Sequence, residues 1–511
     1  MINARWAGLA AGAGVALVVG GATLIGPPSS IVDDHPEVRE PVVRSSLVCP
    51  YVDGEEAGSA ELGVLALPGV DVAENAEGAE QQPITVRALA LPPDPENPEA
   101  TGDPAAEAAT EPLVSIADRG VPSITPVETA AGTSYAVTGQ GALAPGLAAE
   151  QSLILQEVDL RGISTATCTA PRREHWFVGA SAEVGRRGRL VLSNPTDVPA
   201  VVDVELWDEA GVIDAPGTQD IGVPARSQRI LLLDALAAGS ATTAVHVQSS
   251  QGRITAALEV RETEEITPQG MTYVPAAVAP RRNLWIPGVP GSGQRSLRLV
   301  APGDTDAIVS MQILGADGAY SPVDQDVITV TAGTVTDIPL DSGVDPAGIR
   351  LQSDEPITGS IRVVQATEGG LPDLAYTSAS EPLTGPTPAL LSRAASGIAS
   401  TLLISSAVTT TARVTVQTLA ADGTVAEEQP LEIPAGATVP VALTPAGDVP
   451  NATVVVVPEA PGSVVAARQI SATDDDGALL DLMPLISPTI EVDVPEVVGE
   501  LPDVPEPADT P

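Results

Sequence analysis

Three histidines, two cysteines and a handful of arginine pairs are the side chains whose types could do chemistry in this 511-residue chain. His35, His175 and His246 lie far apart in sequence, and no serine stands in a G-x-S-x-G turn, the strained elbow that exposes a nucleophile. Every basic residue is an arginine, so neither a Ser–Lys dyad nor a Schiff-base lysine is available. Two distant cysteines and scattered histidines give no zinc spacing. Asp474-Asp475-Asp476-Gly477 could offer carboxylates to a calcium ion, but the rest of an EF-hand loop is missing and an acidic turn is the plainer reading. The 67 acidic residues supply many candidates for a glycosidase pair and no means of choosing between them. The expectation is a protein that is not an enzyme, with no metal and no cofactor.

The arginines point to binding. Arg172-Arg173, Arg186-Arg187 with Arg189, and Arg281-Arg282 stand out against a net charge of −43. Guanidinium forks match carboxylate and phosphate geometry, so these clusters are candidate contacts for an anionic partner such as a phosphate- or uronate-bearing glycan. The alternative is that they neutralise carboxylates at domain junctions. The overall charge excludes nucleic acid, which needs a basic surface to displace phosphate counterions. Cys49 and Cys168 suit an oxidising compartment and read as one disulfide closing a loop of 119 residues, with two separate buried thiols as the alternative.

The elements that must carry these residues announce themselves by repetition. In 188–262, Val202, Val204 and Leu206 alternate with Asp203 and Glu205, the period of a strand with one buried face. The turn glycines Gly211, Gly318 and Gly423 recur about 105 residues apart, and IGVPARSQ, ITVTAGTV and LEIPAGAT repeat a capped strand. About seven short strands per unit predict an all-β chain of tandem immunoglobulin-like β-sandwiches, at 171–280, 281–386 and 387–488. Trp176 and Trp285 fall at matching places and are expected to anchor cores or junctions. Residues 45–170 form an atypical β region, a diverged sandwich or an extra sheet, interrupted by a Pro-, Ala- and Glu-rich insertion at 92–112 that should be disordered. A linker at 31–44 precedes it, and the acidic, Pro-rich tail at 489–511 should also be disordered.

Residues 6–25, within a segment spanning 1–30, are uncharged, apolar and long enough to cross a bilayer, with Arg5 before them and Asp33-Asp34 after. That flanking charge favours a single-pass signal-anchor with its N-terminus in the cytoplasm and the bulk of the chain extracellular. A cleaved signal peptide is the alternative.

The pieces Cys49-Pro50, GQGALAPGLAAEQ (139–151), Cys168 with Pro171, HWFVGASAEVG and LVLSNPTDVPAVVDVELWDEAG resemble an actinobacterial family of large membrane-anchored extracytoplasmic proteins of unknown function. The resemblance implies that Cys49 and Cys168 match that family's recurrent cysteine segments. It also implies an envelope context, since such genes commonly neighbour one for an envelope glycosyltransferase. The expectation is a non-catalytic scaffold or accessory subunit in envelope polysaccharide assembly, with a glycosyltransferase or transporter as partner. A cell-wall carbohydrate-binding or adhesive module is the alternative, and an unrecognised glycan hydrolase the third reading.

Overall fold

The computed structural model describes residues 38–52, 58–72, 82–90, 112–128, 132–155, 161–340, 343, 345–390, 398–444 and 453–494. The apolar segment at 6–25, the insertion up to residue 111 and the tail beyond residue 494 lie outside the described residues.

Alternation translates directly into strands. In Ala200–Asp208 the side chains of Val202, Val204 and Leu206 enter the core while Asp203 and Glu205 face away from it. Two sheets then enclose that core. In one, Glu174–Ala180, Thr243–Gln251 and Ala200–Asp208 lie side by side, edged by the interrupted strand Gly211–Ile213 and Ile221–Val223. In the other the order is Ser227–Leu232, Arg186–Asn194, Thr255–Glu264, Thr267–Val274. Counting strands along the chain, one sheet is first-sixth-third-fourth and the other fifth-second-seventh-eighth.

The same order appears four times. Residues 281–378 repeat it, with the 19-residue strand Ala347–Gln365 serving as both sixth and seventh because it passes from one sheet into the other. Residues 387–484 repeat it again. The atypical region is a fourth copy: Arg44–Val52, Thr133–Gln140, Ile84–Ala88 and Val114–Ile116 form one sheet. Ser123–Val127, Gly58–Ala66, Leu147–Leu155 and Gly162–Thr167 form the other. We call the copies modules 1 to 4 in chain order. Second–fifth and third–sixth pairing is that of an immunoglobulin domain, but the flanks differ. Here the last two strands lie beside the second and the first lies beside the sixth.

The modules close on one another. The four eighth strands, Gly162–Thr167, Thr267–Val274, Asp373–Ser378 and Ala478–Pro484, pack in a cycle in which each meets the next and the last meets the first. Around this centre, the outer face of each module's first sheet is covered by the second- and fifth-strand face of its successor. Trp176, Val178, Trp207 and Ala244 of module 2 meet Val300 and Val335 of module 3. Leu390, Leu419 and Val455 of module 4 meet Leu65 and Leu67 of module 1. At the junction of modules 3 and 4, the Thr438 hydroxyl donates to the Leu314 carbonyl at 2.6 Å. Between modules 1 and 2, Gln228 receives the Ser134 N–H at 2.9 Å and donates to the Gly132 carbonyl at 2.7 Å. A head-to-tail contact that closes after four repeats leaves no exposed end.

Cys49, in the first strand of module 1, is bonded to Cys168, just past its eighth strand, and both sulfurs lie in that module's core. Among the described residues the helices are single turns, and none is long and apolar enough to cross a membrane. A separate two-stranded sheet pairs Val38–Pro41 with Glu491–Val494, and Arg39 lies 3.2 Å from Asp493 within it. The start of the tail, expected to be disordered, thus forms a short strand against the end of the linker, since an alternating stretch such as EVDV can pair backbone to backbone.

Candidate functional site

Three gatherings of charged and polar side chains lie at the centre of the ring and at its junctions, and the third of them opens to solvent as a concave surface. At the centre of the ring, Asp373 of module 3 is fully buried and accepts the backbone N–H groups of Leu374 and Leu480 at 2.9 Å, and of Ile163 at 3.4 Å. Desolvation holds its carboxyl well above the usual range, opposed by those donors. Gly270 of module 2 passes so close to this carboxyl that any side chain there would collide with it. One carboxyl therefore touches all four modules. Nearby, Arg468 of module 4 donates to Glu150 of module 1 at 3.0 Å, with both side chains out of water. Burial raises Asp481 to about 6, against the pull of Arg468 and the Thr165 donors.

The second gathering lies between modules 2 and 3. Glu262 is buried and takes Arg186 from its own module and Arg362 from the next, while the Tyr376 hydroxyl donates to it at 3.1 Å. Arg298 bridges the same junction, donating to the Gly179 carbonyl at 2.6 Å and to Asp337 at 2.9 Å. Beside it, the His246 ring stacks on Trp176 with centroids 4.2 Å apart. Its Nδ1 is 3.0 Å from Glu205, and its Nε2 is 3.2 Å from Glu174 without the alignment of a hydrogen bond. Each of these groups is engaged by a neighbour, and among the described residues no set of side chains forms a metal-binding cluster.

The third place is the junction of modules 1 and 2, and here the register explains the geometry. Reading across the outer face of the first sheet, module 2 presents Trp176, His246 and Glu205, and module 3 presents Trp285, Arg350 and Gln312. The matching row in module 1 is Val48, Ala136 and Arg87. Ala136 stands where module 2 carries His246 and module 3 carries Arg350, and leaves that part of the face unfilled. The result is a groove of about 370 Å³, within the usual range for small-molecule sites. Arg44, Thr85, Arg87, Thr138 and Gln140 line it from module 1, and Asp197 and Arg226 from module 2.

Arg226 is held in an unusual way. Its φ is +53°, a left-handed conformation that costs a bulky residue about 1–3 kcal/mol. In the aligned repeats the same place is taken by Gly333 and Gly436, each at φ +66°. Two backbone bonds fix the strained residue: its N–H donates to the Thr196 carbonyl at 3.0 Å, and its carbonyl accepts the Ala90 N–H at 3.1 Å. Asp197 receives its Nε at 2.6 Å.

Residues 125–445 match a family of unknown function (DUF5719). The chain belongs to that family. The matched span runs from the fifth strand of module 1 to just past the fifth strand of module 4, so DUF5719 covers most of the ring, including Arg226. No curated protein matches the chain.

Within this DUF5719 ring, the arginines singled out by sequence fall on several edges and do not form one patch. Arg186 pairs with Glu262, and Arg189 lies 3.7 Å from Glu259. Arg281 lies 2.6 Å from Glu381, and Arg282 lies 3.6 Å from Glu355. Arg172, Arg173 and Arg187 are exposed. Trp176 is buried between modules 2 and 3, and Trp285 lines the junction of modules 3 and 4. The turn at Asp474 is tied to Arg161 of module 1 and to its own backbone N–H groups. The groove arginines went unnoticed in sequence because they are isolated, although an Arg opposite two aligned glycines was a visible signal.

Proposed function

We propose that this protein is a non-catalytic, membrane-anchored extracytoplasmic scaffold, an accessory subunit in cell-envelope polysaccharide assembly. The observation that carries the reading is how the buried charges are used. Glu150–Arg468, Arg186–Glu262–Arg362 and Arg298–Asp337 each join side chains across or beside a module junction, where they hold the ring together. A disulfide closing module 1 supports an oxidising, exported setting. The apolar segment at 6–25 supplies the anchor, and the resemblance to actinobacterial envelope proteins supports the setting beside a glycosyltransferase. The modules are a variant of the immunoglobulin-like class, keeping its central strand pairs and exchanging its flanks.

The test is purification of the full chain from its own membranes in mild detergent, with partners identified by mass spectrometry. Stoichiometric recovery of a membrane glycosyltransferase or transporter is the expected result. Recovery of the protein alone, in several detergents, would overturn the scaffold reading.

A further inference from the structure

We propose that the groove between modules 1 and 2 binds an acidic sugar unit, bearing a carboxylate or a phosphate, through Arg226 and Arg44 with Arg87 beside them. The choice of a sugar rests on the envelope reading above; the choice of an anion rests on the groove.

Three observations converge here. First, the ring places the same kind of junction four times; modules 2–3 and 4–1 fill theirs with Trp, Val and Leu, and modules 3–4 keep a smaller groove of about 220 Å³ beside Trp285. The junction of modules 1 and 2 carries Ala136 where His246 stands in module 2, and keeps the larger groove, of about 370 Å³. Second, the opening is lined by three guanidinium groups in a chain whose net charge is −43. Asp197 takes the Nε of Arg226, and the Arg44 side chain makes no hydrogen bond or ion pair with the described residues. Guanidinium nitrogens presented as a fork bind carboxylate or phosphate oxygens in pairs. Thr85, Thr138 and Gln140 on the same sheet face supply donors and acceptors for hydroxyl groups, and the Asp197 carboxylate can receive one. Third, Arg226 stands in a backbone conformation that the sister modules give to glycine. A side chain retained at that cost, at the mouth of the larger of the two open junctions, points to a ligand.

Other openings offer less. The larger groove on module 3 also carries two arginines, but Arg295 donates to the Pro290 and Gly343 carbonyls and Arg362 to Glu262. The enclosed cavity beside Cys49 and Phe177 has about 70 Å³, room for about two waters.

The experiment is calorimetric titration of the full chain in detergent with glucuronate, glucose 6-phosphate and glucose. Saturable binding of either anionic sugar, with no binding of glucose, is expected, and the tighter of the two assigns carboxylate or phosphate. Arg226→Gly should weaken that binding roughly tenfold or more while leaving the melting temperature equal or higher, since glycine relieves the strain. Arg44→Gln should weaken it in the same direction, and Arg281→Gln, at another edge, should leave it unchanged. Absence of binding by both anions, equal binding of glucose, or unchanged affinity in Arg226→Gly and Arg44→Gln would each overturn the proposal. A partner recovered from membranes alongside a silent titration would sink the groove alone. The reverse pair of results would sink the scaffold alone.

Discussion

His175, second residue of the first strand of module 2, lies almost wholly out of water, with Nε2 3.0 Å from the Ile254 carbonyl. Burial pushes its pKa down to about 4, opposed by that hydrogen bond and reinforced by Arg172. The folded state therefore holds a neutral imidazole that donates to Ile254, whereas the unfolded chain takes up its proton near pH 6.5. Since the unfolded state gains the proton first as pH falls, the stability due to this residue is complete above pH 6.5. It is lost progressively down to pH 4, by about 3 kcal/mol in all. His175→Gln keeps a donor for Ile254 and removes the titration. The unfolding free energy of the natural protein minus that of the variant should fall across this window in urea melts at pH 7.5 and 4.5. A constant difference would refute it. Arg226 makes the opposite kind of residue-scale statement. Relief of its left-handed strain is worth about 1–3 kcal/mol and the extra freedom of unfolded glycine takes back about 1. Arg226→Gly is therefore expected to melt no lower than the natural protein.

Strands explain what could be read ahead of the structure and what could not. Alternation in Ala200–Asp208 and the recurring turn glycines identify modules 2 to 4, because each strand there keeps its turn chemistry and spacing. Module 1 hides its membership: long acidic stretches separate its second, third and fourth strands, so the period is lost although the pairing order is the same. The ring left a fainter trace. Leu62 to Leu67 and Val454 to Val457 are nearly unbroken apolar runs, which is what strands buried on both faces require. Those runs mark junction faces, but no sequence pattern says which face meets which. Cys49 and Cys168 are the plainest link at this scale, since they staple the first strand of module 1 to the segment after its last. Replacing both with serine frees a loop of 119 residues, a cost of about 4–5 kcal/mol in the chain-entropy model. Amides of Thr133–Gln140, between the stapled ends, should then exchange much faster with deuterium than those of the equivalent strand Thr243–Gln251. Equal acceleration in both would argue against a local staple.

Closure of the ring is a claim about the whole molecule, and the contact between its first and last modules tests it. In an open string of repeats each module feels only its neighbours in sequence, so changes in modules 1 and 4 should add independently. Here Glu150 and Arg468, 318 residues apart, form a pair with both side chains buried. Removing one partner strands a charge in the interior, at a cost of about 3–5 kcal/mol, whereas replacing both with apolar residues of similar size is near neutral. Glu150→Leu and Arg468→Met should therefore each destabilise strongly, and the two together should recover most of the loss. Unfolding free energies from urea melts give the coupling directly, and additive losses would mean that modules 1 and 4 do not meet. The same closure predicts how the damage spreads. Asp373 receives N–H groups from modules 1, 3 and 4 and lies against Gly270 of module 2, so loosening one junction withdraws support from the centre that all four share. The single substitutions should lower protection from hydrogen exchange in the eighth strands of modules 2 and 3 as well, although neither contains the altered residues. Protection lost only in modules 1 and 4 would show that the centre does not couple the ring.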